Sequence, residues 1–167
     1  MRVCALFLVP LLAGAQPPTP ESIETRLSTE RADRVVAELW REKTTWHVVE
    51  ARVATGSLRW LKIAARLYAG CDAGICAMLK IDLGDALVKN PTDVLAVAGD
   101  SFSARDACST YGSVQDSVDL DLKKALAAIA LREEAVRSVR RPDLEAKKQE
   151  CLNELHTLRE LAPGAFR

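Results

Sequence analysis

Ser57–Ala69, SLRWLKIAARLYA, is apolar on nearly every side when wound as a helix. Leu58, Leu61, Ala64, Ala65 and Tyr68 share one face, and Trp60, Ile63 and Leu67 share a second. Only Arg59, Lys62 and Arg66 are charged. At 100° per residue these three fall within about 60° of one another. A helix with so narrow a polar stripe belongs in the middle of other helices. Its flanks complete the element: Gly56-Ser57 offers an N-cap and Gly70 a left-handed stop.

Upstream, Thr44 or Thr45 caps a short helix from Trp46 to Ala54, with Trp46, Val49 and Val53 facing inward. Before it, Thr19 followed by Pro20 opens a first helix. Ile23, Leu27, Val35, Val36, Leu39 and Trp40 carry that helix to about Arg41. Downstream, Asp72 caps a helix from Ala73 to about Val88, whose inner stripe is Ile75, Leu79, Leu83 and Leu87. Gly84 interrupts the stripe without ending its period, which predicts that another helix backbone approaches closely there. Asn90-Pro91-Thr92-Asp93 is the strongest helix start in the chain: cap, first-turn proline and acidic N-terminal charge together. That helix should run from Pro91 to Ala98 and stop at Gly99. Phe102 to Cys108 reads as a short helical turn, and Ser109 to Ser117 as the longest loop. Two long helices follow, Asp119 to about Val139 and Pro142 to Leu161.

No stretch alternates with period two, so strands are not expected. The fold class is all-α. The spacing predicts a single domain of about seven to eight helices, an irregular antiparallel bundle or short α-solenoid-like stack, stapled by disulfides. No internal repeat is present.

The first residues, MRVCALFLVPLLAGAQPPTP, carry one positive charge, an apolar run and then Ala13-Gly14-Ala15. This small-x-small site after a short apolar run is the pattern of a secretory signal. The run is about ten residues, too short to cross a bilayer, and no later run is long and uncharged enough to be a transmembrane helix. The expected division is a removed signal over 1–15, a proline-rich lead-in over 16–19, a helical domain over 20–162 and a tail over 163–167. The expected localisation is secreted or periplasmic, with a bacterial envelope the best fit. The chain of 167 residues carries 23 basic and 23 acidic side chains. That balance gives no electrostatic case for nucleic acid or an anionic membrane.

Cys4 would leave with the signal. Cys71, Cys76, Cys108 and Cys151 remain, an even number that implies disulfides in an exported chain. Cys71 lies just before the cap Asp72, and Cys76 lies in the first turns of the same helix. The pairing Cys71–Cys76 and Cys108–Cys151 is expected, because the crossed alternatives would crowd Cys108 and Cys151 against one small turn. A metal would need better company than two isolated cysteines, His47 and His156. No metal and no cofactor are expected.

Candidate site residues are few. His47 and Glu50 share a helical face, so Glu50 could orient the imidazole as part of a general-base pair. No nucleophile motif such as G-x-S-x-G accompanies them. His156 stands among Leu152, Leu155 and Glu160. Arg59, Lys62 and Arg66 could receive an acidic partner, or could be the solvated edge of a buried helix. Trp40, Trp46 and Trp60 could line a groove, but such spacing fits better with filling the interface of the first helices. Asp116, Asp119 and Asp121 lack the pattern of a calcium loop and suit a helix N-terminus.

The expected function is a binding or scaffolding module acting through a protein partner, with an inhibitor or immunity type as the specific reading within that class. The rivals are an envelope hydrolase using His47 and Glu50, and a small-molecule carrier using the tryptophan-rich interior. A deep polar pocket at His47 or Glu50 would favour the hydrolase, and a large apolar cavity the carrier. Trp60→Ala should cost roughly 3–5 kcal/mol if that helix is buried.

Overall fold

Thr19 starts the domain with a reciprocal cap: its hydroxyl accepts from the Ser22 N–H at 3.2 Å, and the Ser22 hydroxyl takes up the Thr19 backbone N–H at 3.2 Å. The computed structural model describes residues 17–111 and 121–166. Among these residues there are nine α-helices, one 3-10 turn and no strand. They are α1 (Pro20–Thr29), α2 (Ala32–Arg41), α3 (Lys43–Val53), α4 (Leu58–Tyr68), α5 (Ala73–Lys89), α6 (Pro91–Val97), α7 (Ala104–Cys108), α8 (Leu122–Ser138) and α9 (Glu145–Ala165). The 3-10 turn, Pro142–Leu144, leads into α9. The signal segment, Cys4, Asp116 and Asp119 lie outside the described residues.

The first expected helix is two. Glu30 is extended, with its backbone N–H still bonded to Arg26 O, and the chain turns there into α2. The cause lies in the phase of the sequence. Continuing the Ile23–Leu27 stripe by helical steps reaches Glu30, Arg31, Arg34 and Glu38, all charged. The buried residues Val35, Val36 and Leu39 are on another phase, so no single straight helix buries both sets. Arg26 holds the corner, donating to Glu30 at 3.0 Å and to Glu38 at 2.5 Å.

Helix α4 packs on α1, α2, α3, α5 and α6, as its narrow polar stripe implied. Leu61, Ile63, Ala64 and Leu67 are buried, and Trp60 is 7% exposed. That residual exposure puts Trp60→Ala at the lower end of its range, about 3 kcal/mol, in denaturant melts. A loss below about 1 kcal/mol would mean that the indole is not part of the core.

Three local expectations need correction. Gly70 is not a left-handed stop: among the described residues Gly56 alone has positive φ, at 75°. Gly70 is needed for space. A Cβ on it would lie 2.3 Å from both the Ala32 carbonyl carbon and the Asp33 nitrogen. The end of α4 is thus pressed against the start of α2. Gly70→Ala should cost on the order of 3 kcal/mol, because backbone rather than a side-chain tip must yield. Thermal or urea melts check it, and a neutral result would show that α2 moves freely. Second, neither Thr44 nor Thr45 caps α3, which begins after Glu42 without a side-chain cap; Ser57 likewise holds the cap position of α4 without a cap bond. Third, α5 does run unbroken through Gly84, but the close neighbour is the Arg132 guanidinium, 2.8 Å from a built Cβ, not a helix backbone.

Asp72 and Asn90 cap α5 and α6 as their spacing indicated, whereas α8 starts later than expected, at Leu122, with Asp121 as its cap. Both expected disulfides are present. Cys71–Cys76 pins the start of α5, with Cα atoms 5.4 Å apart. Cys108–Cys151 joins α7 to α9, with Cα atoms 5.5 Å apart. The domain is therefore all-α and disulfide-stapled. The last helix continues past Leu161, through Pro163, to Ala165.

Candidate functional site

Helix α3 places Trp46, His47 and Glu50 on adjacent positions of one face, at spacings of three and four residues. Trp46 is fully buried, and its indole N–H donates to Glu50 Oε1 at 2.7 Å. His47 Nδ1 donates to Glu50 Oε2 at 2.8 Å. Each carboxylate oxygen thus receives one fixed donor, which explains how Glu50 is tolerated at 5% exposure. The imidazole stands at the rim, its side chain 66% exposed. His47 and Glu50, linked by sequence spacing alone, are therefore brought together by the fold.

The other wall is α5. Asp82, Asp85 and Lys89 join His47, Glu50, Ala51 and Ala54 around an open polar cleft of about 350 Å³. Lys89 Nζ crosses to α3 and donates to Ala54 O at 2.6 Å, closing one end. Asp82 forms the inner part of the α5 wall. It is 2% exposed, and its Oδ2 is buried with no hydrogen-bond partner. Burial pushes its carboxyl up to about 8, and the charges of Glu50 and Asp85 push the same way. At neutral pH Asp82 is thus mostly protonated, between two other carboxylates.

Asp85 is tied to the core from behind. Arg132 of α8, 2% exposed, lies 3.9 Å from Asp85 Oδ1. Its guanidinium also donates to Gly84 O at 3.2 Å and to Thr110 O. Burial lowers the Arg132 pKa, and Asp85 opposes that shift. The absence of a side chain at Gly84 leaves the room the guanidinium occupies.

Sequence reasoning passed over Asp82 and Arg132, although a signal was there. Asp82 is seven residues after Ile75 and three after Leu79, in phase with the apolar stripe of α5. Arg132 is seven after Ala125 and four before Val136, in phase with the stripe of α8. A charge in the phase of a core stripe calls for a partner or a protonation change.

The other candidates fall elsewhere. Arg59 donates to Glu24 at 3.0 Å and also to Glu21, both on α1. The Arg59 bond lowers the pKa of Glu24, with Arg66 and Lys62 acting in the same direction; that of Glu21 is lowered first by a backbone hydrogen bond and then by Arg59. The basic stripe therefore faces acids of its own domain, with Lys62 and Arg66 exposed. The rings of Trp40 and Trp46 meet edge-on at 5.7 Å between centroids. Trp60 lines a separate shallow groove with Pro17, Pro18, Pro20, Val48 and Arg52. His156 is exposed on α9, 3.3 Å from Glu160. Asp121 caps α8 through the Lys124 N–H at 2.8 Å.

Among the described residues, no three His, Cys, Asp or Glu side chains are grouped so that they could hold a metal ion. Nor is any helix there long and apolar enough to cross a membrane. Comparison with protein-family models, with curated proteins and with solved structures gave no match.

Proposed function

We propose that this is an exported helical binding module that works through a protein partner, with the α3–α5 cleft as its recognition site. The observation that carries the reading is the buried Asp82 Oδ2, which has no hydrogen-bond partner beside an open polar cleft. A buried acceptor left open costs about 1–3 kcal/mol, so a scaffold keeps one at the expense of stability. A partner group that fills the site recovers that cost on binding. The two disulfides and the Ala13-Gly14-Ala15 site support export.

Site-specific photocrosslinking in the source organism tests this reading. A photoreactive residue at Ala51, exposed at the cleft, is expected to give one discrete protein adduct. The same residue at Ala146, exposed on α9, is expected to give none. Matching adducts from both positions, or none from Ala51, would oppose it. The intact mass of the exported protein should begin at Gln16, and retention of residues 1–15 would remove the export argument.

One observation favours the hydrolase as a second reading. His47 is oriented by a buried Glu50, and Asp82 holds a proton across the cleft lining. A protonated carboxyl facing an oriented imidazole is an arrangement that acid and base roles can use. The cleft lining contains no hydroxyl or thiol, so the attacking group under this reading is water.

A further inference from the structure

We propose that the α3–α5 cleft receives an organic cation bearing N–H donors, an alkylammonium or guanidinium group, seated against Asp82 Oδ2 between Glu50 and Asp85. This rests on reading the cleft as a recognition site and adds the chemistry of its ligand. Once ionised, Asp82 is an acceptor only, and its buried Oδ2 has no partner, so its complement is a donor. Two further carboxylates line the same cleft, and its one lysine is already bonded to Ala54 O. An anion would meet these charges unfavourably. Among the described residues no three His, Cys, Asp or Glu side chains, those of the cleft included, come close enough together for a metal ion. At about 350 Å³ the cleft lies at the small end of ligand sites, which run roughly 300–1,000 Å³.

The charges around Asp82 come from known directions. Helix α3 contributes His47 and Glu50, and α5 itself contributes Asp85 and Lys89. Arg132 of α8 reaches Asp85, whereas Asp106 of α7 is paired with Lys80, 2.8 Å away. When the cation docks, the Asp82 proton leaves to solvent and the carboxylate pairs with the incoming N–H groups. Binding at neutral pH should therefore release a proton, because burial holds Asp82 protonated beforehand.

The test is a titration of the exported chain followed by amide NMR and by calorimetry in two buffers of different ionisation heat. The probes are cadaverine, acetyl-Gly-Lys-Gly-amide and acetyl-Gly-Arg-Gly-amide, with acetyl-Gly-norleucine-Gly-amide as the neutral match. At least one cation should give saturable shifts confined to residues 47–54 and 82–89, with a Kd of about 1 mM or tighter and proton release at pH 7. Asp82→Asn, whose spectrum elsewhere should match the wild type, should weaken that binding about tenfold or more. Response to a peptide but not to cadaverine assigns the cation to a partner's side chain, and the reverse assigns it to a free amine. Absence of saturable cleft shifts with every cation overturns the proposal, as does an equal response to the norleucine peptide or unchanged binding in Asp82→Asn. An adduct from Ala51 with no cation binding would leave the partner reading standing and remove this one. Cation binding with no adduct would do the opposite.

Discussion

Replacing Asp82 by Asn is expected to remove a fall in stability of on the order of 5 kcal/mol between about pH 4 and pH 8. The sign follows from the two states of the side chain. Unfolded, the carboxyl titrates near 3.8; folded, burial and the charges of Glu50 and Asp85 hold it at about 8. Below pH 4 both states carry the proton and the group contributes no pH dependence. Between the two values the unfolded chain has lost its proton and the folded chain keeps it, so unfolding gains ground as pH rises. Above pH 8 both are ionised and the full penalty is present. Asparagine keeps the shape without ionising. Urea melts of wild type and Asp82→Asn across pH 4–9 should therefore cross, with the variant the more stable at the alkaline end. Parallel curves would mean that Asp82 is solvated.

Removing the Cys108–Cys151 bond is expected to cost about 4 kcal/mol in the chain-entropy account. The bond closes a sequence separation of 43 residues, and both half-cystines are fully buried. It ties α7 to α9, which Arg105 of α7 and Glu154 of α9 also join by an ion pair at 2.6 Å, of little worth alone because the arginine is exposed. The double change Cys108→Ala/Cys151→Ala is the suitable variant, because serines there would bury two new polar groups. The Cys71–Cys76 bond spans 5 residues and should cost only about 2 kcal/mol when removed in the same way. Denaturant melts of the two double variants rank them. A larger loss from the local bond would mean that α5 is nucleated by its first turn and that the α7–α9 contact holds without its staple.

The helical class, the caps at Thr19, Asp72 and Asn90, and the Cys71–Cys76 pair were legible because each depends on short-range spacing, and Cys108–Cys151 followed once the crossed pairings were excluded. The break between α1 and α2 was equally present, as a phase change between Leu27 and Val35, but counting apolar residues hides it. The purpose of Gly70 was not legible, since the Ala32–Asp33 backbone that fills its Cβ position comes from another helix. The same reason limited the site. His47 and Glu50 are neighbours on one helix and could be paired from spacing. Asp82 meets them only through the packing of α5 on α3, and Arg132 meets Asp85 only through the packing of α8 on α5. A charged residue in the phase of a core stripe was the available signal, and in both places it marks the part of the molecule that the apolar pattern leaves unexplained.

Whether the cleft is built around a buried, partnerless carboxyl is tested most directly by carboxyl carbon NMR of Asp82 across pH. Selective labelling, with Asp82→Asn for assignment, isolates the signal. A midpoint near 8 with the domain folded throughout is the expected result. A midpoint at the ordinary aspartate value near 3.8 would contradict it, and would return Asp82 to the surface charges of the domain.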